Sequence, residues 1–149
     1  MNVFRITLFE YANQLFASGR KARWNSNGVF IIYAASSRAL ACLENVVHRS
    51  GEGLNNSFRT MVISIPNKIV INEVTSDELP SNWKDFDQQY VTRAKGDQWI
   101  KNQESAVLKV PSVIIQEEHN YLINPLHREF SDIQLESVEP FLFDPRLLN

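Results

Sequence analysis

The sequence predicts a single α+β domain, and three observations predict it. Short apolar runs rich in β-branched and aromatic residues recur along the 149-residue chain. Between some of them, apolar residues return at helical spacing, and Gly, Pro, Asn and Ser clusters separate the others. Hydrophobic residues make up 44% and charged residues 21%, ordinary proportions for a chain that can build one sizeable core. The expected unit is one domain over residues 1–149, with helices set between the strands of a mixed sheet.

The elements follow in order. Val3–Leu8 reads as an N-terminal strand, and residues 9–21 as a polar-aromatic connection running into the basic cluster GRKAR. Val29–Ala34 is a continuous apolar run of the kind buried on both faces of a sheet. Ser36 and Ser37 offer N-caps for a helix in which Leu40, Leu43 and Val47 recur at helical spacing. At about 100° per residue, Glu44 lies beside that stripe rather than opposite it. SGEGLNNS, residues 50–57, is a turn-rich connection. Phe58–Ile65 and Lys68–Val74 read as the two strands of a hairpin around Pro66-Asn67. Pro80-Ser81 opens a short helix through Trp83, Phe86 and Tyr90, and Gly96 precedes a second around Trp99 and Ile100. Val107–Ile115 is strand-like, with Pro111 marking an edge, a bulge or a break. Residues 119–125 form a short strand or loop halted by Pro125, and Ser131–Val138 and Phe141–Phe143 are the last strand candidates.

Composition also excludes. A net charge of −2 gives no support to broad electrostatic binding of nucleic acid. No window approaches the roughly 18–20 apolar residues of a membrane span, and MNVFRITLFEYANQ lacks the pattern of a secretory leader. Cys42 is the single cysteine, which rules out an internal disulfide and fits a reducing compartment. The expected location is therefore the cytoplasm. His48, His119 and His127 show no HExxH spacing, and one cysteine cannot build a zinc site, so no metal is expected. Neither GxGxxG nor GxxxxGK[ST] occurs. No G-x-S-x-G elbow surrounds any serine, which argues against a hydrolase triad.

Residues 22–49 carry the strongest pattern. Arg23, Tyr33 and Glu44 are poor choices for holding a core together, yet they flank core-like elements. The ordered set is VFRIT with Arg5, RWNSNG (23–28), YAASSRALACLE (33–44), GDQWI, VPS (110–112) and NYLINPLH (120–127). In that order these segments resemble the RES domain, the toxin half of RES–Xre type II toxin–antitoxin modules, over essentially the whole chain. Lys21-Ala22 departs from the glycines that precede the arginine in many relatives.

The resemblance implies an ADP-ribosyltransferase-like fold with a split sheet, and an activity that consumes NAD⁺ as substrate, with no prosthetic group. It implies catalytic roles for Arg23, Tyr33, Glu44 and Ser112, and NAD⁺ contacts from Arg5, Arg23, Trp24, Asn25, Tyr33 and Asn124. An Xre-like helix-turn-helix antitoxin and self-association as a homodimer are implied as partners, in a bacterial cytoplasm. The chemistry is compatible with these residue types. Breaking the nicotinamide–ribose bond builds positive charge on the ribose, which a fixed carboxylate such as Glu44 stabilises. An arginine fork suits a pyrophosphate. Ser112, just past Pro111, offers a hydroxyl to substrate, Trp24 packs or lines the pocket, and Asn124-Pro125 and His127 shape the cleft. Transfer of ADP-ribose to a protein is the alternative reaction, and a non-enzymatic partner-binding module the alternative class.

Overall fold

Alternation along the first apolar run decides the layering of the molecule. In the computed structural model, which describes residues 1–48 and 57–148, this run forms strand β1 (Asn2–Leu8). Val3 points into one core, while Phe4, Ile6 and Leu8 point into another. The later elements are β2 (Ile32–Ala35), helix α1 (Arg38–His48), β3 (Phe58–Ser64), β4 (Ile71–Glu73), helix α2 (Gln89–Asn102), β5 (Val107–Pro111), β6 (His119–Ile123) and β7 (Gln134–Pro140). The described residues thus give an α+β domain with seven strands in one mixed sheet, ordered β4-β5-β6-β2-β1-β3-β7.

Every pairing is antiparallel except the parallel β4–β5 contact. The expected split survives as a narrow junction rather than as two sheets. β1 pairs with β3 over seven residues, whereas β1 and β2 share the single register pair Phe4↔Ala35. Three apolar clusters cover the sheet. One face holds Val3, Ile32, Met61, Ile63, Val107 and Ile123. The opposite face carries two clusters side by side. Trp24, Trp83, Trp99 and Leu122 gather under α2, and Ile6, Ala35, Leu40 and Phe58 gather under α1. Each fully buried Val, Leu, Ile, Phe or Met among them contributes about 1.5–3 kcal/mol.

Helix α1 starts where the serines allow. The Ser37 hydroxyl accepts the Leu40 amide at 3.0 Å, as an N-cap does, and Leu40, Ala41 and Cys42 turn inward. Val47, read as part of the stripe, is exposed instead, because Val46 takes the inward position one residue earlier.

Several expectations are corrected. The strand in the apolar run 29–34 is shorter and later, at Ile32–Ala35, and Phe30 lies exposed before it. Residues 58–65 and 68–74 do not form a hairpin. β3 lies between β1 and β7, and β4 crosses to the far edge to pair with β5. The helix expected from Pro80-Ser81 through Trp83 and Phe86 is instead a series of turns, and Tyr90 and Trp99 belong to one 14-residue helix running through Gly96. Its inward residues are Thr92, Gly96, Trp99 and Ile100, a helical spacing half made of small groups. Val107–Ile115 ends as a strand at Pro111. The last strand is Gln134–Pro140, and Phe141–Phe143 is not a strand. Its aromatic rings pack edge-on instead, Phe143 against Phe58 and Phe141. Apart from Ser57, the connection at 50–57 lies outside the described residues.

Candidate active site

The segment 22–28 is held by buried hydrogen bonds as well as by the buried Trp24 ring. Asn25, 1% exposed, sits inside it. The Asn25 Nδ2 group donates to the carbonyls of Arg20 (2.8 Å), Val29 (2.9 Å) and Ser26 (3.1 Å). Its Oδ1 accepts the Tyr33 hydroxyl at 2.6 Å, and that hydroxyl in turn accepts the Trp24 amide at 3.2 Å. Gly28 closes the loop with a φ of 86°, a conformation that side chains disfavour, and its amide reaches the Gly19 carbonyl.

Helix α2 clamps the other side of the same loop. Thr92 donates to the Arg23 carbonyl at 2.6 Å, and Asp97 accepts both the amide and the hydroxyl of Ser26. Gly96 lets the helix approach so closely that a Cβ there would stand 1.8 Å from the Trp24 carbonyl oxygen. The result is to present the Arg23 side chain. Arg23 Nη1 donates to Trp83 O at 3.0 Å and Nη2 to Lys84 O at 3.1 Å. Two of its five N–H donors are used in this way.

Glu44 stands on α1 at the seam between the two clusters on this face. Its Oε1 accepts the Asn120 amide at 2.7 Å, and its Oε2 lies 3.3 Å from His48 Nε2. The carboxylate-bearing side chain is 23% exposed, neither solvated nor sealed. Arg23 shares this electrostatic neighbourhood. Burial holds its guanidinium below the ordinary range, Glu44 pulls it back up, and Arg93 on α2 pushes it further down. Donating a hydrogen bond to Glu44 raises His48 above its usual value, against the effects of burial and of Arg23. Two arginines, a histidine and a carboxylate therefore sense one another across a partly water-shielded seam. Such a set can grip an anion and stabilise a cation beside it.

The remaining expected site residues fall elsewhere. The Tyr33 hydroxyl is committed to Trp24 and Asn25, and burial raises its pKa well above the ordinary phenol value. It serves as a strut beneath Arg23 and is not poised as a base. The Trp24 indole is buried against Trp83, with ring centroids 6.5 Å apart, so it packs rather than lining an open surface. Asn25 lies inside the loop, with its amide and carbonyl both engaged.

Ser112 departs most from expectation. It is 0% exposed, and its hydroxyl accepts the amides of Ile114 and Ile115, because the chain turns there after Pro111. Arg5 lies on the face of Val3, away from α1, and donates to the Phe16 carbonyl at 2.9 Å. Desolvation lowers its pKa. Asn124 is fully buried; its Oδ1 accepts the Leu126 amide and its Nδ2 has no partner. His127 accepts the Glu129 amide in the turn that follows.

Sequence reasoning missed Asn120, Arg93, Thr92 and Asp97, all of which act on the site through side-chain geometry. Asn120 lay within NYLINPLH and carried no charge to single it out. Among the described residues no three His, Cys, Asp or Glu side chains converge as metal ligands. A separate hollow between β4 and α2, lined by Glu73, Glu78, Lys95, Gln98 and Glu104 among others, includes neither Glu44 nor Arg23. Within the described residues no helix is long and apolar enough to cross a membrane.

Comparison with known proteins places the chain among relatives. Residues 2–144 match the RES domain. The chain is 42% identical over 142 residues to the "Prs ADP-ribosylating toxin" of Sphingobium sp. (strain YBL2), covering 92% of this chain and 88% of that protein. It is 33% identical over 153 residues to "Toxin Res" of Yersinia enterocolitica, with 99% of both chains covered. The fold is similar to that of a chain in the crystal structure of the M. tuberculosis MbcT-MbcA toxin-antitoxin complex. The TM-score is 0.75 at 15% identity, over 95% of this chain and 84% of that one.

Proposed function

The chain belongs to the RES domain family, and from that premise we propose that it is a toxin that consumes NAD⁺ by cleaving the nicotinamide–ribose bond. The observation that carries the reading is the partly buried Glu44 carboxylate, held by Asn120 and within electrostatic reach of Arg23, which itself senses Arg93. In the reaction the C1′–N bond breaks and its electron pair leaves on nicotinamide, which departs neutral. The ribose passes through an oxocarbenium-like state that Glu44 faces. Water or phosphate oxygen then bonds to C1′, and the attacking water gives up a proton.

Arg23 grips the pyrophosphate with the donors not spent on Trp83 and Lys84, and Arg93 adds a second positive charge. Arg5, bonded to the Phe16 carbonyl on the opposite face of the sheet, is assigned no part in this grip. Tyr33 and Asn25 hold Arg23 in place. Ser112 shapes the turn before β6 and takes no part in the chemistry.

A second reading is transfer of ADP-ribose to a protein, favoured by the name of the Sphingobium relative. An activity of either kind calls for restraint in the producing cell. The structural neighbour seated with an antitoxin supports an antitoxin partner here; the family resemblance alone suggests that this partner is Xre-like, that the chain self-associates as a homodimer and that it acts in a bacterial cytoplasm.

Purified protein, free of inhibitor and given NAD⁺ with and without phosphate, is expected to release nicotinamide. Glu44→Gln is expected to lower that rate about 10²–10³-fold with folding retained. Label moving from adenylate-tagged NAD⁺ onto a protein band selects the transferase reading. Intact NAD⁺ under all these conditions rejects both.

A further inference from the structure

Resting on the NAD⁺ reading for its kinetic half, we infer that Asn120 is the positioning residue that fixes the Glu44 carboxylate over the floor of the seam. Asn120 belongs to β6 and is paired on both sides, with Ala35 of β2 and with Val110 of β5. Two ladders thus hold its Cα, and the side chain rises from the most constrained part of the sheet. Its Nδ2 donates to Glu44 Oε1 at 2.7 Å. The reversed amide would set a carbonyl oxygen against a carboxylate, two acceptors in contact, so Glu44 dictates the orientation.

That orientation leaves Asn120 Oδ1 buried without a hydrogen-bond partner. Among the described residues, the bond to Glu44 is therefore the one side-chain hydrogen bond that Asn120 makes. The other oxygen, Oε2, is reached by His48 from the rim, at the exposed end of α1. Asn120 grips from below and His48 from above, and the rigid grip is the one on the sheet. The grip on phosphate belongs to Arg23, on another element. Loss of Asn120 therefore affects the chemical step and leaves substrate affinity alone.

The test uses the whole chain and two variants. Asn120→Ala removes the donor, and kcat for nicotinamide release is expected to fall about 10–100-fold, with KM for NAD⁺ within about twofold of wild type. Asn120→Asp keeps the shape but presses two carboxylates together, which must then share a proton. Its pH–rate profile is expected to move relative to wild type. Its melting temperature is expected to fall below wild type by about 4 °C near pH 8 and by much less near pH 4.5.

An Asn120→Ala protein with wild-type kcat, or with its loss confined to KM, overturns the positioning role. A melting difference for Asn120→Asp that ignores pH overturns the contact itself. If wild-type protein leaves NAD⁺ intact, the substrate reading fails, and the melting comparison alone then decides the contact.

Discussion

Two polar regions meet at Arg23 and obey opposite rules. In the 22–28 loop, the polar groups of Asn25 and Ser26 and the hydroxyl of Tyr33 find partners within it, in the residues flanking it or on α2. At the seam, the Glu44 side chain is partly exposed and Asn120 Oδ1 is buried without a partner, as is Oδ1 of the adjoining Asn45. A fully satisfied network resists change, which suits a part that must hold still. An incompletely satisfied one stores the capacity to bind something else. The contrast separates the residues that hold the site in shape from those placed to meet a ligand, although both kinds stand in the same conspicuous motif.

Gly96→Ala offers the most forceful way to break that contrast. Its Cβ would meet the Trp24 carbonyl at 1.8 Å, so α2 and the loop must part. A loss of about 2–3 kcal/mol is expected, a drop of about 6 °C or more in melting temperature. A variant melting like wild type means the loop is not a rigid platform.

Tyr33→Phe sharpens the comparison with a smaller effect. It strips Asn25 Oδ1 of its donor and the Trp24 amide of its acceptor. The expected loss is about 1–3 kcal/mol of stability in chemical denaturation, with kcat kept within a few-fold. A large fall in kcat at unchanged stability would move Tyr33 to the chemical side of the divide.

The smallest effect belongs to His48, whose side chain is 77% exposed. Because its folded pKa is raised by the Glu44 hydrogen bond, the stability it adds is fully present below the unfolded value of about 6.5. That increment disappears as pH rises through the folded value. His48→Gln should accordingly melt slightly below wild type in acid and match it in mildly alkaline buffer. Equal melting at all pH values would show that the rim contact adds nothing.

The sequence made β1, the serine cap of α1 and the placement of Glu44 beside an apolar stripe readable, because each follows from local periodicity or local hydrogen bonding. What it hid was of two kinds. Pro66-Asn67 correctly signalled a turn, but a turn does not say which strand comes next to which, and β4 crosses the sheet to join β5. Helix α2 was cut in two because Gly96 looks like a breaker. Its reason for being there, the approach of the Trp24 carbonyl, lies about seventy positions away in sequence.

Within the site, Arg23 and Glu44 were readable by charge. Ser112 is buried and accepts amides two and three residues on, a local arrangement that its place after Pro111 does not reveal in one dimension. Asn120 went unnoticed because an uncharged amide on a strand has no signature until its partner is seen.

The arrangement of the sheet also sets a timetable for synthesis. Arginine and acid are both translated within the first 44 residues, but the amide that steadies the acid is residue 120, and β3 gains its second neighbour from residues 134–140. At roughly 5–20 residues per second, several seconds separate the birth of Glu44 from the arrival of its support. A chain still lacking residue 120 therefore carries Arg23 and Glu44 without that seating, which leaves time for a partner protein to be waiting.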